Sequence, residues 1–218
     1  MAQSAIDLDA ALKFAESDER LNSLPVFLYG HSWGGYAVTA ILDNGYDITA
    51  VASLAGYNTP IGIVYETAQD MLGKPFAAVE YPFLWINNKI LFGSESDVSA
   101  VDSINSTDTP VMIIHGKTDE TILYDGASIM AQRDNITNPN VVYKTVPGNH
   151  NSLYMSEEAG KYLAETEEKA NKLLEEYDND IPEDIEKEYY ASVEKEKVSE
   201  LSPEFMQDID NFFMNSLK

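Results

Sequence analysis

The stretch Gly30-His31-Ser32-Trp33-Gly34 constrains this chain more than any other. The apolar run Leu24-Pro25-Val26-Phe27-Leu28-Tyr29 before it reads as a strand, and Gly35-Tyr36-Ala37-Val38-Thr39-Ala40-Ile41-Leu42 after it reads as a helix. A serine between glycines at a strand-to-helix turn is the pattern of a nucleophile elbow. Such a turn is tight and strained, the flanking glycines leave no room for side chains, and Ser32 Oγ is lifted above the strand ends. The N–H of Trp33 then opens a helix, where it can stabilise a developing oxyanion. Gly35 extends the run of small residues, so the helix can lie close on the sheet.

At 218 residues the chain is long enough for one domain with a real core, and its 44% hydrophobic and 11% aromatic content fit a globular protein. No apolar stretch is long enough to span a bilayer. The first residues, Met1-Ala2-Gln3-Ser4-Ala5-Ile6-Asp7, carry neither a basic nor an apolar signal region. With no cysteine there is no disulfide framework, and these features together point to the cytoplasm. The formal charge of −23 argues against nucleic acid and anionic membranes, which require a basic face. It reads as a solvated acidic surface, since no calcium-loop pattern is present.

Further along the chain, residues 5–20 read as a helix and Asn44-Gly45 ends the elbow helix, with Gly45 suited to a left-handed cap. Residues 48–55, 110–115 and 141–146 read as strands. Helical segments alternate with them, and the central runs are apolar on both sides. This pattern predicts an α/β fold with a parallel sheet flanked by helices. Two segments interrupt the alternation. Residues 57–109 form a lid or cap insertion rich in aromatics that read mainly as core; Tyr57, Trp85 and Phe92 are the candidate substrate liners. Residues 157–200 form an acidic helical insertion broken at Asp178-Asn179-Asp180-Ile181-Pro182. Ser202 and Pro203 cap a last helix whose stripe, Phe205, Ile209, Phe212 and Phe213, should face the sheet. The whole chain, residues 1–218, is read as a single partial domain.

A serine nucleophile requires a base, and the base an orienting carboxylate. The third strand runs into His115-Gly116-Lys117-Thr118-Asp119 and the fourth into Gly148-Asn149-His150. Asp119 is therefore the candidate acid and His150 the candidate base. Glu120 is the nearest alternative acid. His31, inside the elbow, and His115, before the Gly116 turn, have structural explanations.

These three motifs, in this order and each after a strand, resemble the C-terminal part of the α/β-hydrolase superfamily. The nearest branches are the serine-aminopeptidase-like, monoacylglycerol-lipase-like and dipeptidyl-peptidase-like ones, with G-H-S-x-G-G, H-G-x-x-D and G-x-x-H-like turns. The resemblance implies a serine hydrolase, an esterase or peptidase, that cleaves an ester, thioester or acyl-peptide bond through Ser32, Asp119 and His150 and an acyl-enzyme. The oxyanion is held by the Trp33 N–H, and the reaction requires no cofactor and no metal. The resemblance also implies a departure. The first four strands of the fold are missing here, and with them the loop that supplies a second oxyanion donor, whose loss costs about two to three orders of magnitude in rate.

The elbow strand is thereby expected at a sheet edge that invites pairing. A longer chain of which this is a fragment, a partner bringing the missing N-terminal half, or a homodimer paired through this strand would each cover it. The alternative to the enzyme is a truncated, non-catalytic interaction module that presents this edge to a partner.

Overall fold

The computed structural model describes residues 1–217 and divides into two compact units: Met1–His150 with the C-terminal residues from Asn211 on, and Asn151–Asp210. In chain order the first unit holds α1 (Gln3–Ser17), β1 (Phe27–His31), α2 (Trp33–Ala40), β2 (Ala50–Leu54), α3 (Pro60–Leu72), α4 (Lys74–Phe92), α5 (Ala100–Asn105), β3 (Val111–Gly116) and β4 (Val141–Val146). The second unit holds α6 (Glu157–Glu176), α7 (Glu183–Ser192) and α8 (Lys195–Val198). Helix α9 (Pro203–Ser216) starts there and ends in the first.

The four strands form one wholly parallel sheet in the order β1-β2-β3-β4. β2 is buried along its whole length, and β3 nearly so, because aliphatic side chains leave both of their faces. β4 departs from this. As the outer strand it exposes half of its positions and buries only one, so its Val-Val-Tyr-Lys-Thr-Val composition is not that of a central strand. β1 is the other edge, with Tyr29 45% exposed.

On one face Leu28, Val51, Val111 and Ile113 join Tyr36, Val38 and Ile41 of the α2 segment, Ala5 and Leu12 of α1 and Ile104 of α5 in a single buried cluster. Tyr36 and Tyr57 stack there at 4.6 Å between ring centroids. Their hydroxyls donate to the carbonyls of Val98 and Met1, so the two buried rings keep their polar tips partnered. Burial pushes both phenols above their ordinary titration range. On the opposite face of β1 the Phe27 ring meets Phe213 of α9 at 5.0 Å. The elbow helix is shorter than its sequence pattern predicts: it tightens to a 3₁₀ turn over Ile41–Asn44 and ends on Gly45 at φ 81°.

The segment 57–109 is helical, as α3, α4 and α5, but its aromatics are not mainly core. Tyr57 is fully buried, whereas Phe76 and Phe83 of α4 are exposed. Along α4 the residues Phe76, Val79, Phe83, Ile86 and Ile90 recur at alternating three- and four-residue spacing, and they are 48–78% exposed. The buried positions Ala77 and Asn88 lie on another side of the helix.

In the second unit Asp178 and Asn179 take left-handed backbone angles, φ 50° and 67°, which end α6 where the Asp-Asn-Asp run predicts a break. Tyr189 donates to the Thr166 carbonyl at 2.8 Å and Tyr162 accepts from the Glu194 N–H at 3.0 Å, fastening the later helices to α6. No helix among the described residues is long and apolar enough to cross a membrane.

Candidate active site

Because the sheet is parallel, the C-terminal ends of β1, β3 and β4 lie along one edge, and the turns that leave them carry Ser32, Asp119 and His150. The register pairs His31 with Leu54, Leu54 with Ile114 and Gly116 with Val146, so the three turns begin at nearly the same level.

Ser32 sits between β1 and α2 at φ 57°, ψ −115°, a conformation that a non-glycine residue holds only at a cost of about 1–3 kcal/mol. Its N–H donates to the Leu54 carbonyl at 2.8 Å, and its own carbonyl accepts from the Tyr36 N–H at 3.1 Å, so β2 and α2 together hold the turn. Glycine is required at position 30, where a Cβ would lie 2.2 Å from the Gly34 carbonyl oxygen. At Gly34 the expectation of crowding fails, for a Cβ there would meet nothing within 4 Å. Gly35 is the second close approach: a Cβ there would lie 2.6 Å from the Leu54 carbonyl oxygen, which lets α2 lie directly on β2.

Asp119 and His150, both buried, are joined by a 2.8 Å hydrogen bond from Nδ1 of the imidazole to Oδ2 of the carboxylate. The other carboxylate oxygen, Oδ1, accepts from the N–H groups of Thr121 and Ile122, each at 2.9 Å. Nε2 of His115 lies 3.3 Å from Oδ2 and donates to the Ile122 carbonyl at 2.9 Å. Burial raises the Asp119 pKa. The hydrogen bonds from His115, His150 and the Ile122 N–H more than offset this, and the group stays below the usual carboxylate range. Gly116 lets the turn of Asp119 approach the turn of His150, since a Cβ there would lie 2.6 Å from the Gly148 carbonyl oxygen.

The turn at Ser32 meets the candidate base through His31. Its Nε2–H donates to the His150 carbonyl at 2.9 Å, and the two rings lie 4.7 Å apart, tilted by 41°. Burial and the neighbouring His150 lower the His31 pKa below its ordinary value. Among the described residues, Ser32 Oγ is not hydrogen-bonded to His150. No group of metal-ligating side chains occurs among them either.

The sequence profile of the prolyl oligopeptidase family matches residues 3–175. The chain belongs to this family. Among solved structures it is similar to an esterase of Pyrococcus furiosus (18% identity, 79% of this chain and 61% of that one, TM-score 0.47). It is also similar to an acylaminoacyl peptidase of Pyrococcus horikoshii (15%, 69% and 24%, TM-score 0.46). A third is acetyl xylan esterase 1 of a Thermoanaerobacterium species (13%, 67% and 46%, TM-score 0.48). The chain thus spans about three fifths of the length of the Pyrococcus furiosus esterase. No curated protein sequence matches it. Its four parallel strands and their helices are part of an α/β-hydrolase sheet, as the order of the three motifs implied.

Within this prolyl oligopeptidase family chain, the proposed pocket liners scatter. Tyr57 belongs to the core, stacked on Tyr36 with no exposed surface. That is a correction of its place among the candidate liners: Tyr57 is a core ring, as the aromatics of this stretch were mainly expected to be. Trp85 is 43% exposed on α4, with the Lys89 ammonium 5.8 Å from its ring, and Phe92 closes that helix half-buried. Trp33 is at the first position of α2 with its side chain outward.

Glu66 of α3 escaped sequence reasoning altogether. Its carboxylate accepts from the N–H groups of Leu123 and Ala127, at 3.0 and 2.7 Å, and so holds the loop that follows Asp119. Nothing in the sequence around a single glutamate in a long helical insertion marks such a partner.

Proposed function

We propose that the chain is a serine hydrolase that cleaves an ester, thioester or acyl-peptide bond. His150 Nε2 takes the proton of Ser32 Oγ as the oxygen attacks the substrate carbonyl. Asp119 holds the imidazole in the Nδ1–H tautomer and stabilises the imidazolium that forms. The imidazolium then gives its proton to the leaving alcohol, thiol or amine, and an acyl-enzyme on Ser32 remains. Water activated by the same imidazole hydrolyses the ester, returning the acid product and free Ser32. The Trp33 N–H, at the start of α2, binds the oxyanion. The exposed Trp85 and the half-buried Phe92 are the remaining candidate liners of a substrate pocket.

The observation that carries this reading is the 2.8 Å Asp119–His150 hydrogen bond, made between two buried side chains on turns that leave adjacent strands. The strained φ of Ser32 supports it, since such a backbone persists where the surrounding structure over-determines it. A fluorophosphonate probe should label Ser32, with labelling abolished in Ser32→Ala. An unlabelled chain, under conditions where a control serine hydrolase reacts, sinks the proposal.

A second reading is favoured by the position of β1 at the sheet edge: a non-catalytic module that pairs there with a partner chain or a second copy. A chain that stays monomeric on size exclusion at high concentration and reacts with the probe excludes it.

A further inference from the structure

His115 is wholly buried at the end of β3, four residues before Asp119, and the proton transfers above do not use it. Its tautomer follows from its neighbours. Nε2 faces two acceptors, the Ile122 carbonyl at 2.9 Å and Asp119 Oδ2 at 3.3 Å, so Nε2 carries the proton and shares it between them. Nδ1 is buried with no partner. A buried imidazole nitrogen left unpaired costs free energy. A purely apolar residue in this place would avoid that cost, so the ring is held for what Nε2 does.

The ring is itself fixed from the side by Tyr124, edge-on at 5.8 Å and 82°, and the Lys117 ammonium lies 4.0 Å from that tyrosine ring. Asp119 Oδ2 therefore has two imidazole donors, His115 and His150, while Oδ1 has two backbone donors. Four donors over two oxygens leave the carboxylate a single orientation. The same Nε2–H, by binding the Ile122 carbonyl, closes the turn on which Asp119 stands.

We infer that His115 is a positioning residue: it fixes the rotamer of Asp119 so that Oδ2 points at Nδ1 of His150. The inference rests on the reading of Asp119 as the acid that serves His150. Its consequence is that the histidine of the His-Gly-Lys-Thr-Asp turn is required for its N–H donor and not for its bulk.

The test uses the full chain with three substitutions. His115→Phe keeps a ring against Tyr124 and removes the donor. His115→Gln places an amide N–H near the position of Nε2. Asp119→Asn removes the acid. Two quantities are read in each folded variant: the rate at which a fluorophosphonate labels Ser32, and the low-field proton resonance of the hydrogen-bonded Nδ1–H of His150. With only three histidines in the chain, that resonance is assigned by substitution.

His115→Phe should slow labelling by about a hundredfold and move or broaden the low-field proton, as expected for a reacting group displaced by an ångström or less. His115→Gln should restore most of both. If Asp119→Asn slows labelling while His115→Phe leaves rate and resonance as in the parent chain, the role given to His115 is overturned. If Asp119→Asn labels as fast as the parent, the acid assignment is what fails. If the parent chain is not labelled at all, the nucleophile reading fails, and the resonance alone decides for or against His115. Should His115→Phe fail to fold while His115→Gln folds with an altered resonance, the role is structural and the inference is wrong.

Discussion

His31 donates from Nε2 to the carbonyl of His150 across 2.9 Å, while the two rings stand 4.7 Å apart. One residue from the elbow serine is thereby bonded to the main chain of the candidate base, and β1 and the turn after β4 are held together although two strands separate them in the sheet. Expected effects of changes at the site and in the sheet beneath it follow from relationships of this kind.

Asp119→Asn should lower kcat/KM on an activated ester by about three to four orders of magnitude, because the amide favours the wrong imidazole tautomer. Circular dichroism should report an intact fold. An Asp119→Asn variant within tenfold of the parent would remove Asp119 from the mechanism and leave Glu120 as the acid to test.

Gly30→Ala and Gly34→Ala should differ sharply. The first drives a Cβ to 2.2 Å from a backbone oxygen that cannot give way, and should cost at least about 1–3 kcal/mol in urea unfolding. The second enters open space at the start of a helix and should stay within about 0.5 kcal/mol of the parent. Equal losses at the two positions would contradict the geometry of the elbow.

Glu66 and Gly126 should be coupled. A Cβ at Gly126 would lie 1.8 Å from Glu66 Oε2, so Gly126→Ala must displace the carboxylate that holds the loop after Asp119. In a double-mutant cycle with Glu66→Ala the loss in the double variant should fall short of the sum of the two single losses by about 0.5–3 kcal/mol. Additive losses would mean that the carboxylate moves aside freely.

His31 makes stability depend on pH. Its folded pKa lies below the unfolded value of about 6.5, so the unfolded chain binds the proton first. The associated stability is present above about pH 6.5 and is lost as pH falls through the lower folded value. Asp119, also depressed, adds a loss of the same sign below about pH 3.9. The urea midpoint should therefore decline from pH 7 toward pH 5, with a shallower slope in His31→Asn. An unchanged slope in that variant would assign the loss to other groups.

The outer face of α4 should tolerate polar residues. Phe83→Ser and Ile90→Ser, at positions 65% and 78% exposed, should each change unfolding free energy by no more than about 0.5 kcal/mol. A loss of 2 kcal/mol at either position would mean that the stripe is covered in solution.

Much of this was legible in the residues because it depends on local chemistry. The strand, elbow and helix around Ser32, the left-handed stop at Gly45 and the break at Asp178-Asn179 each follow from backbone preferences that a few neighbouring residues decide. The order of the three turns along one edge follows from parallel strands, which have their C-terminal ends on the same side. The α/β-hydrolase superfamily was readable for the same reason, since the motifs that carry the resemblance are short and each follows a strand.

What depended on approach between distant segments could be read only from the tertiary structure. Gly34, flanking the serine, is open, while Gly30 and Gly35 are crowded, because crowding depends on where the Gly34 and Leu54 carbonyls lie. Tyr57 turns into the core and Phe83 out to solvent, though composition gives both the same apolar character, because burial is decided by which face another element covers. Glu66 reaching the Leu123 and Ala127 amides, and His115 sharing one proton between Ile122 and Asp119, are hydrogen bonds whose partners the chain brings together only by folding. Local sequence specified the candidate groups; tertiary packing set the donors that hold Asp119 and His150 in place.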